Sequence, residues 1–214
     1  MRRHWFFDFD GTLADTDRDI RDAWKLTIRD LGLACDDFDS KFRNGPPIDA
    51  MVELLFPGRA TDELKLAVRE RFKVNYDAGG FPHTAPYPGV EEFLRRLAAA
   101  GAEIFVASNK RFRALNLLVS KLGWGGLIAG VYAPDMFPGR RMTKAEFLAH
   151  ALAERGIAPT DAVMAGDTRG DVDAAKANGV FALGCDWGYA PRSELDGADR
   201  VIGLDDLRKL ETTK

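Results

Sequence analysis

Two aspartates one residue apart, Asp8 and Asp10, close an apolar run in the stretch HWFFDFDGTL (residues 4–13), and a second acidic pair, Asp167 and Asp171, lies in GDTRGD (166–171). An aspartate after an apolar run is ordinarily a helix cap or a turn residue. Four acids drawn to one place are a different matter, because like charges at close range are tolerated only with a bound cation or with protonation. Carboxylate oxygens are hard ligands, so Mg2+ is the natural counter-ion. Two further clusters carry complementary groups: Ser108, Asn109 and Lys110 in the run SNK, and Lys144 at the start of a helical pattern.

These residues need a scaffold that brings distant segments together. From residue 84 onward, short apolar runs (EIFVAS 103–108, LIAGVYA 127–133, AVMAG 162–166, VFALG 180–184, DRVIG 199–203) alternate with helix-spaced segments at 89–100, 111–123, 143–155 and 171–178. Each of those four segments is followed by a glycine, at 101, 123, 156 and 179, where a helix C-terminus favours it. Such alternation predicts an α/β fold, a Rossmann-like parallel sheet core with helices on both faces. Asp8 and Asp10, the SNK run and GDTRGD then all follow strands. In an open parallel sheet the ligand crevice lies beyond those strand ends, so neighbouring strands would make the clusters face one another.

Residues 15 to about 85 break the rhythm. Ile20, Ala23, Trp24, Ile28 and Leu31 form one apolar stripe and Leu64, Val68, Phe72 and Tyr76 another, with no convincing strand between them. The expected division is a core of 1–14 with 86–214 and a helical cap domain of 15–85, with the Gly/Pro-rich GGFPHTAPYPG (79–89) as a hinge. DTDRD (15–19) lacks the glycine and the bidentate Glu of a calcium loop, since Ile20 and Leu26 hold those places. Its acids suit a helix N-terminus.

The ordered set of motifs resembles the haloacid dehalogenase superfamily. DFDGTLADT is similar to its DxDGT signature, VASNK to its second motif, Lys144 to its third-motif lysine and GDTRGD to its GDxxxD fourth motif, over nearly the whole chain. The resemblance implies a covalent mechanism in which Asp8 attacks phosphorus to give an aspartyl phosphate, splitting a difficult hydrolysis into two displacements. Asp10 would be general acid for the leaving oxygen and then base for water. An aspartate with an ordinary pKa near ~3.9 is a poor acid at neutral pH, so Asp10 is expected to be raised by burial or by its acidic neighbours. Mg2+ would be held by Asp8, the backbone carbonyl of Asp10 and Asp167, with Asp171 direct or behind them. Ser108, Lys144 and the amides of Gly11 and Asn109 would take the phosphoryl oxygens.

Superfamily members with a helical insertion after the first motif use it as a cap that closes over the site. In FRNGPPI (42–48) such proteins place a specificity residue, which makes Arg43 and Asn44 candidates; a turn with a solvated arginine is the alternative. CDWGYA (185–190) resembles the WGY segment of phosphoglycolate phosphatase-like members, or else is an aromatic loop packed on the core. Lys110 stays open, because Lys144 fits the phosphate lysine better.

A net charge of -3 and a pI of about 5.7, with no basic stripe, argue against nucleic acid. Cys35 and Cys185 stand apart from any CxxC or Cys/His cluster, and His4, His83 and His150 are scattered. No signal-peptide core and no run of about 18 apolar residues occurs, so a cytoplasmic location and no membrane partner are expected. The resemblance points to a Mg2+-dependent phosphatase of small phosphorylated metabolites, most like phosphoglycolate phosphatase. A pyrophosphatase or nucleotidase of the same superfamily is the alternative. A sugar phosphomutase of this kind would carry a histidine where this chain has Ile20, a dehalogenase would lack Asp10, and a non-catalytic phospho-ligand binder would be expected to have a damaged site, whereas Asp8, Asp10, Lys144 and Asp167 are all intact.

Overall fold

The computed structural model describes residues 2–210. Two compact units are present, one formed by the residues up to Asp15 together with those from Ala85 onward, the other by Thr16–Thr84.

In the first unit the chain runs β1 (His4–Phe7), β2 (Ala14–Asp15), then, after the second unit, β3 (Ala85–Pro86), α5 (Val90–Ala99), β4 (Glu103–Ala107), α6 (Phe112–Lys121), β5 (Ile128–Tyr132), α7 (Lys144–Arg155), β6 (Ala162–Gly166), α8 (Arg169–Ala177), β7 (Phe181–Cys185), β8 (Arg200–Ile202) and α9 (Leu204–Leu207). Six strands form one parallel sheet in the order β5-β4-β1-β6-β7-β8. β1 lies between β4 and β6 and is covered on both faces, which is why Trp5, Phe6 and Phe7 are consecutive rather than alternating with polar residues. Phe6 stacks on Phe105 at 4.7 Å and joins a buried cluster with Phe147, Leu148 and Ala151 of α7 and Val172 and Ala175 of α8. On the other face Trp5 and Phe7 meet Phe93 of α5 edge-on, at 5.5 and 6.3 Å. The glycines at 101, 123, 156 and 179 all take positive φ. One pairing has no counterpart in the apolar pattern: β2 and β3 form a two-stranded antiparallel ribbon, Ala14 opposite Pro86 and Asp15 opposite Ala85, through which the chain leaves and re-enters this unit.

The second unit contains α1 (Asp17–Asp30), α2 (Phe38–Lys41), α3 (Ile48–Leu55) and α4 (Asp62–Ala78). The stripes of α1 and α4 pack together, with Trp24 5.4 Å from Phe72, and a buried polar pair sits inside the apolar contact: Asn75 Nδ2 donates to Thr27 Oγ1 at 3.1 Å. Asp17 and Asp19 lie in the first turn of α1. Asp19 does more than favour a helix N-terminus, because its carboxylate accepts from the amides of His83 and Thr84 and from the Thr84 hydroxyl. The segment expected to be a hinge is therefore tied down at residues 83–84.

Candidate active site

The sheet order places the ends of β4, β1 and β6 side by side. Asp8 continues the β1 ladder by one bond, its amide donating to Ala165 O at 2.8 Å, and the Ser108 amide continues β4 toward Tyr132 O at 3.1 Å. Asp167 follows β6 directly, and Asp171 stands in the first turn of α8. Asp8, Asp167 and Asp171 are all buried and each offers an oxygen within 4.8 Å of the others. Lys144, the first residue of α7, is buried with its Nζ 3.1 Å from Asp8 Oδ1 and 2.5 Å from Asp171 Oδ1. The distant residues singled out in the sequence thus meet at one sheet edge.

Their charges are not balanced. Burial raises the Asp8 carboxyl above its ordinary value; Lys144 opposes this, Asp171 adds to it, and hydrogen bonds from the Ser108 hydroxyl and the Phe9 amide lower it. Asp167 is pushed up to about 7, first by burial and then by Asp8 and Asp171, against the Tyr189 amide and Thr12. Burial by itself would lower Lys144, but Asp171 and Asp8 outweigh it and hold the ammonium above its usual range. Asp8 Oδ1 is buried with the Lys144 ammonium 3.1 Å away. Three buried carboxylates with one ammonium between two of them leave negative charge in excess, and such a set of oxygens fits a hard divalent cation. Asp171 fits that role less directly. Its Oδ2 accepts from the Thr168 amide and hydroxyl, and its Oδ1 from Lys144, so both oxygens are already engaged.

Asp10, Gly11, Arg43 and Asn44 have partners that the sequence did not indicate. Asp10 is paired with a lysine, Lys110 Nζ lying 2.8 Å from both of its oxygens. The amide of Gly11 is committed to Ala14 O at 3.1 Å, closing a turn in which Phe9 O also accepts from Leu13 and Ala14. In the helical unit, Arg43 donates to Ser40 O of α2 and to Phe42 O beside it, and Asn44 Nδ2 donates to Asp17 Oδ1 at 3.2 Å. Asn109 is exposed in the loop after β4.

The WGY segment turns out to support an acid. The Tyr189 amide donates to Asp167 Oδ2 at 2.9 Å, Thr12 Oγ1 to Asp167 Oδ1 at 3.1 Å, and Trp187 Nε1 to Thr12 O at 3.1 Å. A Cβ at Gly188 would lie 2.2 Å from Asp167 Cβ, and one at Gly166 would lie 2.1 Å from Asp171 Cγ, so glycine is required for the backbone to approach the carboxylates this closely. The glycines beside the acids in GDTRGD and WGY were the available sequence signal.

The family model described as haloacid dehalogenase-like hydrolase matches residues 5–185. The chain belongs to this family. Among curated relatives, the phosphoglycolate phosphatase of Psychrobacter arcticus is 30% identical over 213 residues, covering 95% of this chain and 92% of that one. The tyrosine-protein kinase PtkA of Mycobacterium tuberculosis is 28% identical over 209 residues, covering 95% and 70%. A solved haloacid dehalogenase-like hydrolase of Streptococcus pneumoniae superposes with a TM-score of 0.81 at 24% identity over 97% and 96% of the two chains, a likeness of fold alone.

Proposed function

We propose that this chain is a Mg2+-dependent phosphatase of small phosphorylated metabolites that works through an aspartyl phosphate on Asp8, with phosphoglycolate the leading substrate. Family membership and phosphatase relatives make it a haloacid dehalogenase-like phosphatase, a phosphoric monoester hydrolase. The observation that carries the finer reading is the meeting of three buried carboxylates, Asp8, Asp167 and Asp171, around the single buried ammonium of Lys144. Asp8 and Asp167 would hold the cation with the Asp10 backbone carbonyl, and Asp171 would orient Lys144 behind them. Bound Mg2+ would supply positive charge to the phosphoryl oxygens.

In the first step an Asp8 oxygen forms the new bond to phosphorus, the ester P–O bond breaks, and Asp10 gives its proton to the leaving alcohol. Water then attacks the same phosphorus, Asp10 takes its proton, and the Asp8–phosphorus bond breaks. Lys144 and Ser108, with the amide of Asn109, meet the phosphoryl oxygens; Gly11 is left out because its amide is engaged by Ala14. Residues 16–84 are proposed as the cap, with Arg43 and Asn44 selecting the leaving group. The test is phosphate release from phosphoglycolate, pyrophosphate, a nucleoside monophosphate and an aryl phosphate, with Mg2+ and with chelator. Mg2+-dependent release, largest for phosphoglycolate, is expected, and release indifferent to chelation contradicts the reading. Transfer of the phosphoryl group to a tyrosyl peptide in place of water would align the chain with its kinase-named relative instead.

A further inference from the structure

Asp167 and Asp171 are both buried beside Asp8, but donors of different kinds hold them. Asp171 has the Lys144 ammonium on one oxygen, which offsets its charge. The two donors to Asp167 are neutral, the Tyr189 amide on Oδ2 at 2.9 Å and the Thr12 hydroxyl on Oδ1 at 3.1 Å. A carboxylate oxygen accepts in two directions, and each donor takes one of them. The pair therefore steadies Asp167 against the repulsion of its acidic neighbours while leaving it both its charge and room for a cation.

Both donors are placed by one side chain that holds neither oxygen itself. Trp187 Nε1 donates to the Thr12 carbonyl at 3.1 Å, and so locates the residue whose hydroxyl meets Oδ1. Trp187 also anchors the segment whose amide, at Tyr189, meets Oδ2. Its indole lines a small apolar gap with Phe7, Leu13, Val90 and Phe93, a seat that fixes where the N–H points. Mg2+ demands a near-octahedral set of oxygens at about 2.0–2.1 Å, whereas Ca2+ accepts longer distances and looser geometry. Groups that orient a ligand from behind are typically worth about 10- to 100-fold in metal affinity. We propose that Trp187 is a positioning residue of the cation site, acting through Thr12 and the Tyr189 amide to hold Asp167 in a pose that Mg2+ requires more strictly than Ca2+. The inference rests on the Mg2+ reading of the acid cluster given above.

The test reads binding without turnover. The melting temperature of the full chain is followed against MgCl2 and, separately, CaCl2 at fixed ionic strength, and each rise is converted to an apparent Kd by mass action. Trp187→Phe keeps an aromatic ring in the apolar seat and removes the donor; it should weaken Mg2+ by about tenfold and Ca2+ by clearly less. Thr12→Val, which lacks the hydroxyl, should shift the Mg2+ to Ca2+ ratio in the same direction, and Thr12→Ser, which keeps it, should hold the wild-type ratio. Unchanged Mg2+ affinity in Trp187→Phe, or equal losses for the two cations, would overturn the inference. Should Trp187→Phe not fold, the Thr12 pair decides, and wild-type Mg2+ affinity in Thr12→Val overturns it. A wild-type protein whose melting temperature ignores both cations would instead overturn the cation reading itself, and this inference with it.

Discussion

Asp8 in the sheet unit and Asp19 in the helical unit are equally buried, at 7% exposure each, and their charges are met in different ways. Asp19 accepts from two backbone amides, at 3.1 Å from His83 and 2.7 Å from Thr84, and from the Thr84 hydroxyl at 2.6 Å. Asp8 accepts from the Ser108 hydroxyl and the Phe9 amide and has Lys144 at 3.1 Å, yet it shares its surroundings with two more buried acids, Asp167 and Asp171. Burying a carboxylate is tolerable when donors from the same chain replace water, and Asp19 shows this protein doing so. Around Asp8 it does something else and gathers further acids. A cluster of buried acids lowers stability, a cost that the proposed roles of Asp8 in holding a cation and attacking phosphorus would explain.

The sharpest way to break this comparison is to remove each carboxylate. Asp8→Asn should lower turnover by at least about 10³-fold, some 4 kcal/mol of transition-state stabilisation, without loss of melting temperature in chelator, because a repelling charge has gone. Steady-state kinetics with thermal unfolding would check both halves. Asp19→Ala should do the reverse, costing on the order of 3 kcal/mol in denaturant unfolding as three donors lose their acceptor. Turnover of an aryl phosphate at a temperature where that variant is folded should change far less. If Asp19→Ala left stability intact, the contrast between the two acids would fail.

The pH dependence of the metal-free protein sharpens the same point. Asp167 is raised to about 7, so between the ordinary carboxylate value near ~4 and pH 7 the folded state keeps a proton that the unfolded chain has lost. Its contribution to stability is therefore full at low pH and is lost as pH rises through that window. Urea midpoints in chelator should fall from pH 4.5 to pH 7.5, and Mg2+ should flatten the decline by binding the ionised form, by the mass-action rule. Midpoints in chelator that rise across this range would contradict the repulsion. The smallest effect is expected at Arg43→Ala and Asn44→Ala, which should leave stability within about 0.5 kcal/mol and shift relative kcat/KM among metabolites by less than about tenfold. Unaltered substrate ratios in both variants would remove them from the specificity reading.

How far the sequence went follows the same division. The sheet was legible because β1, β4 and β6 are apolar runs of strand length, and the acids because they end those runs. Lys110 against Asp10 and the Asp19 clasp were not legible, since each depends on which segment meets which across 64 to 100 residues of chain. The support of Asp167 by the Tyr189 amide was hidden for another reason: a backbone donor has no side-chain identity, and only the glycine at 188 marks where the main chain must come close. The β2–β3 ribbon was too short, at two residues a strand, to show a period.

On the proposed mechanism Asp8 attacks phosphorus, and locating the phosphoryl group tests that proposal most directly. Wild-type protein with Mg2+ and a rapidly reacting aryl phosphate, quenched in acid, digested and read by mass spectrometry, should carry an acyl phosphate on the peptide containing Asp8, labile to hydroxylamine and absent in chelator. An Asp10→Asn variant should accumulate it, because water is then no longer activated for the second step. Phosphate released at full rate by Asp8→Asn, or a phosphoryl group found on any other residue, would contradict the account.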